Sequence, residues 1–197
     1  MIPPDESLTD AYFEDVYRAS DDPWNFETSE YERAKYARTL AALPRDHYAR
    51  ALEVGCSIGV LTGLLSERAG ALLSVDVSER ALARARERNR DRANVTFGRR
   101  RLPAETPPGP FDLIVLSEVG YYFSTRDLEA VLDRLTAALA PGGDLILVHW
   151  TPPVPDYPQT GDAVHGAALR RTPAPLQHRH AERHEHYRLD VLSKPGT

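Results

Sequence analysis

From residue 49 to residue 150, apolar residues gather in short unbroken runs, and the stretches between the runs carry helical spacing. The runs are 51–54, 71–75, 95–97, 111–116 and 144–150, and the helical stretches are 59–68, 79–90 and 127–139. A proline-rich irregular segment follows the third run. Continuous apolar strands alternating with helices predict a parallel sheet covered on both faces, a doubly wound α/β fold with right-handed crossovers. Ser78 is placed to cap the second helix, and Ser124 with Asp127 forms a capping-box-like start to the third.

Two further helices are predicted ahead of this core, over 8–17 and 30–43, with Pro23 ending the first and Thr28 or Ser29 capping the second. Behind the core, T-P-P-V-P-D-Y-P-Q-T fits neither helix nor central strand, because each proline lacks an N–H and fixes φ. Residues 176–181 and 187–192 read as an antiparallel hairpin turning at His184 and Glu185. The expected organisation is one domain: a helical arm over 1–48, an α/β core over 49–150, and a substrate-side loop with C-terminal strands over 151–197.

A chain of 197 residues, 42% hydrophobic, can bury a core of its own. Its net charge of -5 argues against a protein built to coat nucleic acid, since phosphate binding needs a basic face. One cysteine, Cys56, excludes an internal disulfide framework and fits a reducing compartment. The first ten residues have neither a basic start nor an apolar run, and nothing approaches the roughly 20 apolar residues of a membrane span, so a cytoplasmic protein without membrane contact is expected. The sequence is silent on oligomeric state.

In a doubly wound sheet, ligands bind outside the carboxyl ends of the strands, where the first strand-to-helix turn lies. That turn reads A-L-E-V-G-C-S-I-G over 51–59. Gly55 permits close approach of a ligand to the backbone, and Gly59 permits the following helix to pack tightly on the strand. The dinucleotide pattern G-x-G-x-x-G fails, because Ser57 and Val60 stand where glycines are needed, and no phosphate P-loop is present. What remains is E-x-G-x-x-x-G. Asp76 ends the second strand about twenty residues on, where a carboxylate can accept both hydroxyl protons of a ribose. Gly55, Gly59 and Asp76 together point to a ribose-bearing cofactor.

The chain resembles class I S-adenosylmethionine-dependent methyltransferases, and within them the nodulation protein S family. The narrower likeness rests on D-P-W-N-F-E-T-S-E-Y-E-R-A-K-Y (22–36), L-S-E-V-G-Y-Y-F (116–123), the T-G-D-A-V-H stretch ending at His165, and Y-R-L-D-V-L (187–192). The resemblance implies S-adenosyl-L-methionine as cofactor, S-adenosyl-L-homocysteine as product, and a small-molecule amine or hydroxyl as acceptor, family members methylating a free amine of a chitooligosaccharide. It implies that Trp24 and Tyr31 close over the cofactor and that Arg33 or Lys35 meets its carboxylate. Cys56, Ser57, Val77, Ser117 and the backbone near Leu102 complete the implied cofactor set. Glu118, just past the fourth strand, is the implied proton acceptor, His149 at the end of the fifth is the alternative, and Tyr121 and Tyr122 shape the acceptor pocket.

The chain departs from the resemblance at Arg101, which stands where an acidic residue usually receives adenine and which has no acceptor atom. A non-catalytic cofactor-binding module is therefore the alternative function, and a nicotinamide oxidoreductase a weaker one resting on fold and Asp76. The arginines at 84, 86, 88, 90 and 92 read as a solvated helix face because Glu87 and Asp91 interleave with them. His178, His180, His184 and His186 alternate along the hairpin without a metal-ligand set, so no metal is expected.

Overall fold

A computed structural model describes residues 6–196; the opening residues 1–5, read above for a leader, and residue 197 lie outside the described residues. The chain divides into two compact units, one formed by Thr9–Arg101 and the other by Leu102–Thr197 with the residues up to Leu8.

The Thr9–Arg101 unit begins with two helices, α1 (Asp10–Ala19) and α2 (Glu30–Ala41). Thr9 caps α1 by accepting from the Tyr12 amide, and Ser29 caps α2 by accepting from Glu32. Between them, the Asp22 carboxylate accepts from the amides of Phe26 and Glu27, which folds D-P-W-N-F into a turn with Asn25 at φ 56°. Then follow β1 (Tyr48–Val54), α3 (Val60–Leu65), β2 (Ala69–Asp76), α4 (Glu79–Arg88) and β3 (Val95–Arg99). The strands are parallel, with β2 between β1 and β3. Ser78 caps α4 as expected. The helix predicted over 59–68 ends as an α-helix at Leu65 and tightens into a 3-10 turn, Ser66–Arg68.

The second unit holds β4 (Phe111–Ser117), α5 (Thr125–Ala138), β5 (Leu139–Trp150), α6 (Gly161–Leu169), β6 (Gln177–Arg183) and β7 (Tyr187–Ser193). β4 and β5 are parallel, whereas β7 runs antiparallel to both β5 and β6. Leu113 to Leu116 and Leu145 to Val148 are essentially solvent-free, which accounts for their unbroken apolar runs. Ser124 caps α5 by accepting from Asp127, and Ser7 reaches in from the N-terminal segment to accept from the Ser124 amide and donate to Asp127. Two features differ from the sequence reading. β5 starts at Leu139, so P-G-G lies within the strand, where pairing jumps from Phe111–Leu139 to Leu113–Asp144. And α6, capped by Thr160, occupies part of what reads as loop, its nine residues too few and too small to give a clear period.

Glu53 is the one acidic side chain among the inward residues of β1, 2% exposed. Its Oε2 accepts from Thr62 Oγ1 at 2.6 Å and Ser74 Oγ at 2.7 Å, tying β1 to α3 and β2. Burial raises its pKa to about 7, against the two hydroxyl bonds. Between the ordinary carboxyl value and 7 the folded chain keeps a proton that the unfolded chain has released, so stability falls as pH rises through that window. Glu53→Gln removes the ionisation and keeps an acceptor for both hydroxyls. The variant should gain on the wild type by up to roughly 3 kcal/mol at about pH 8, and the gain should vanish towards about pH 5. Urea denaturation across that range checks it, and a difference independent of pH would refute the assignment.

Candidate functional site

In the Thr9–Arg101 unit, the turn after β1 packs three left-handed residues into five: Gly55 at φ 76°, Ser57 at 50° and Gly59 at 79°. The amides of Gly55 and Cys56 both donate to the Val75 carbonyl. Asp76 completes the arrangement: its Oδ2 accepts from the Ser57 amide and its Oδ1 from the Ser78 amide, each at 2.9 Å. One carboxylate thus joins the turn after β1 to the start of α4. Burial raises the pKa of Asp76, and the amides of Ser78, Ser57 and Val77 oppose the rise. Each carboxylate oxygen has a second lone pair, so two more donors can be accepted. Gly55, Ser57, Asp76 and Val77 are all partly exposed, which leaves this rim reachable.

Cys56 and Gly59 point elsewhere. The Cys56 thiol is buried, and its pKa is pushed up by that burial, so only its backbone faces the rim. A Cβ on Gly59 would lie 2.9 Å from the Cα and Cβ of Ala85 and 2.6 Å from Asn89 Nδ2. Gly59 therefore serves the close approach of the turn to α4, not to the strand as the sequence suggests.

The arm contributes a residue that the sequence reading missed. The Tyr17 hydroxyl donates to Ser57 Oγ at 2.5 Å, and its ring joins a cluster with Ile58 and Ala81. Trp24 packs edge-on against Tyr17 and stacks on Phe26, so Trp24 anchors the arm. Tyr17 lies in the last turn of α1, and nothing local marks it as a partner of the glycine turn. Acidic residues of the arm also meet α4 and the arginines around the end of β3, with Arg84 and Arg88 of the face that reads as solvated among their partners. Asp10 lies 3.3 Å from Arg101 and 3.5 Å from Arg99, Glu14 accepts from the Glu79 amide at 2.8 Å, and Asp21 and Glu27 pair with Arg84 and Arg88. Arg101 is thereby matched by a carboxylate of α1. On α2, Lys35 is sequestered, 2% exposed and paired with Glu32 at 2.9 Å under the Tyr31 ring; Arg33 and Tyr31 are exposed.

In the second unit, Glu118 follows β4 directly in a left-handed conformation, φ 56°. Its amide donates to the Val148 carbonyl, and its Oε2 accepts from Tyr121 Oη at 2.6 Å and the Trp150 amide at 2.9 Å. Burial and the adjacent Glu118 charge push the Tyr121 phenol well above its ordinary pKa, so Tyr121 remains a donor. The rings of Tyr121, Tyr122 and Tyr157 pack together, Tyr157 stacked 5.1 Å from Tyr121 and edge-on 4.8 Å from Tyr122. Tyr157 comes from the proline-rich loop, which Gln159 fastens through its amide to the Tyr121 carbonyl. Ser117 is partly exposed at the end of β4, and Leu102 is buried.

His149 has both ring nitrogens engaged: Nε2 accepts from the Gly120 amide at 3.0 Å, and Nδ1 lies 3.1 Å from His165 Nε2. It is also solvent-free, so it is not poised to take a proton from a ligand. His178, His180, His184 and His186 each meet a carboxylate, those of Asp190, Glu182, Glu182 and Glu185. Among the described residues, no group of three or more His, Cys, Asp or Glu is arranged to hold a metal ion, and no helix is long and apolar enough to cross a membrane.

Comparison with known proteins gives the family and the fold. The Nodulation protein S of Bradyrhizobium diazoefficiens is 36% identical over 130 residues, 65% of this chain and 62% of that protein. That of Rhizobium tropici is 34% identical over 130 residues, 65% of this chain and 55% of that one, so the chain spans about three fifths of the length of these curated relatives. The N-methyltransferase NodS from Bradyrhizobium japonicum WM9, solved in complex with S-adenosyl-L-homocysteine, superposes with a TM-score of 0.83 at 23% identity, covering 95% of this chain and all of that one. The likeness gives the class I methyltransferase fold, with the antiparallel β7 at the end of the parallel set. A profile of the Nodulation protein S (NodS) family matches residues 12–151, and the chain belongs to that family.

Proposed function

We propose that this protein transfers a methyl group from S-adenosyl-L-methionine to an amine of a small molecule, an amino sugar or oligosaccharide being the class that family membership favours. The observation that carries the reading is the Asp76 carboxylate, fixed by the Ser57 and Ser78 amides on the rim of a glycine turn and keeping lone pairs for a ribose diol. When bound, the cofactor supplies the methyl group on a sulfonium, whose carbon–sulfur bond breaks as the amine lone pair forms the new carbon–nitrogen bond and leaves a neutral thioether.

The residues of the chain position, shield and accept a proton. Asp76 holds the ribose, and the amides lining the Gly55 turn border the nucleoside. Glu118 takes the proton that amine methylation releases, its carboxylate aimed by the Tyr121 hydroxyl and the Trp150 amide. A carboxylate among tyrosine rings also favours the positive charge that develops on nitrogen as a neutral amine is methylated, each ring face adding about 0.5 to 2 kcal/mol of cation–π attraction. That preference supports nitrogen over oxygen as the methylated atom.

Calorimetry with S-adenosyl-L-homocysteine is expected to give binding that Asp76→Ala weakens on the order of 100-fold, two charge-assisted hydrogen bonds being lost. Circular dichroism confirms that the variant folds. Unchanged affinity in a folded variant would remove Asp76 from the site. Glu118→Gln should leave that affinity within about threefold and lower kcat roughly 100-fold or more on an amine accepted by the wild type. Parallel loss of binding and turnover would assign Glu118 to the cofactor. Cofactor binding without transfer to any member of a broad amine and alcohol panel would favour the non-catalytic module.

A further inference from the structure

A buried chain of hydrogen bonds supports the Glu118 turn and takes no part in the chemistry above. The Gly120 amide donates to His149 Nε2, so that nitrogen presents a lone pair and the proton of a neutral ring sits on Nδ1. Nδ1 then donates to His165 Nε2, 3.1 Å away. His165 in turn donates from its own Nδ1 to Asp190 Oδ2 at 2.6 Å. Asp190 is held by Arg188 Nε and by His178 Nε2, each at 2.6 Å. His149, His165 and Asp190 are completely buried. An amide donor at one end and a carboxylate at the other leave a single tautomer for each imidazole.

We propose that His165 is a positioning residue for methyl transfer: by accepting from His149 Nδ1 it keeps His149 Nε2 as the acceptor that pins Gly120, and with it the left-handed Glu118 two residues before. This rests on the reading of Glu118 as the proton acceptor.

Three observations carry it. A non-glycine residue at positive φ persists only where its surroundings over-determine it, and three successive residues of β5, Val148, His149 and Trp150, bond to Glu118 and Gly120. Space is equally restrictive, for a Cβ on Gly120 would lie 2.5 Å from Val164 and 2.8 Å from His149 Nε2, so β5 and α6 both close on the turn. Polarity is the third: a proton added to the imidazole pair would set a donor against the Gly120 donor. The charged and titratable groups facing the pair are Asp190 and Arg188 on β7, His178 on β6, Asp162 on α6, and Glu118 and Tyr121 on the turn. Burial, opposed by Asp190, keeps the pKa of His165 below its ordinary value, so this ring is neutral near neutral pH.

The test compares two replacements that mimic different ring nitrogens. His165→Gln places an amide where Nε2 was and still accepts from His149; His165→Asn places one where Nδ1 was and does not. On an amine methylated by the wild type, His165→Asn should lower kcat about 10- to 100-fold, with KM and S-adenosyl-L-homocysteine affinity within about threefold, and His165→Gln should recover most of the loss. Nitrogen-15 NMR of the wild-type imidazoles supplies a readout independent of turnover and of variant folding: His149 should be the Nδ1–H tautomer. The Nε2–H tautomer at His149, unchanged kcat in His165→Asn, or equal loss in both variants would overturn the proposal. A wild type that binds cofactor but methylates no amine would instead bring down the methyl-transfer reading, and the tautomer result tells that failure apart from this one.

Discussion

Asp76 is the constraint from which the Thr9–Arg101 unit is organised. A half-buried carboxylate costs free energy unless it is hydrogen-bonded. Here the Ser57 and Ser78 amides meet that cost, and in doing so they lock the turn after β1 to the first residues of α4. Ser57 can then hold its left-handed conformation, and the Tyr17 hydroxyl settles on it. Behind the turn, Glu53 binds α3 and β2 through two hydroxyls. Two carboxylates on neighbouring strands thus have different work: one reaches the rim, and the other, deep in the core, stays protonated to nearly neutral pH.

The second unit repeats the device with different residues. Each unit places a left-handed non-glycine residue in the turn after a parallel strand, Ser57 at φ 50° after β1 and Glu118 at φ 56° after β4. Each turn is held by a side-chain acceptor on a backbone amide: Asp76 on Ser57, His149 on Gly120. Each acceptor has a second polar partner, the Ser78 amide for Asp76 and His165 for His149, which fixes its orientation. Sites built on rigid strand ends in this manner present functional groups with little reorganisation.

Much of this is legible along the chain, and the division is physical. β4 and the last half of β5 are read from unbroken apolar runs because both faces are covered. Ser78 and Ser124 are read as caps because a cap is a local contact of three residues. Asp76 is legible from its distance behind the glycine turn. Contacts between residues distant in sequence leave no such trace. Tyr17 meets Ser57 across 40 residues, and Asp10 meets Arg101 from the far end of the unit. Lys35 looks like a free cation on a helix face until its burial against Glu32 is known. Asp190 is a partial exception: a lone acid between Leu189 and Val191 demands a buried partner, the same signal that marks Glu53, and His165 is that partner.

The most direct measurement of the central claim is a crystal structure of the protein soaked with S-adenosyl-L-homocysteine. The account predicts both ribose hydroxyls donating to the Asp76 carboxylate while the Ser57 and Ser78 amides stay bonded to it, with the ribose resting beside Gly55. A nucleoside bound away from Asp76, or an Asp76 that gives up Ser57 and turns into solvent when the ligand enters, would contradict it.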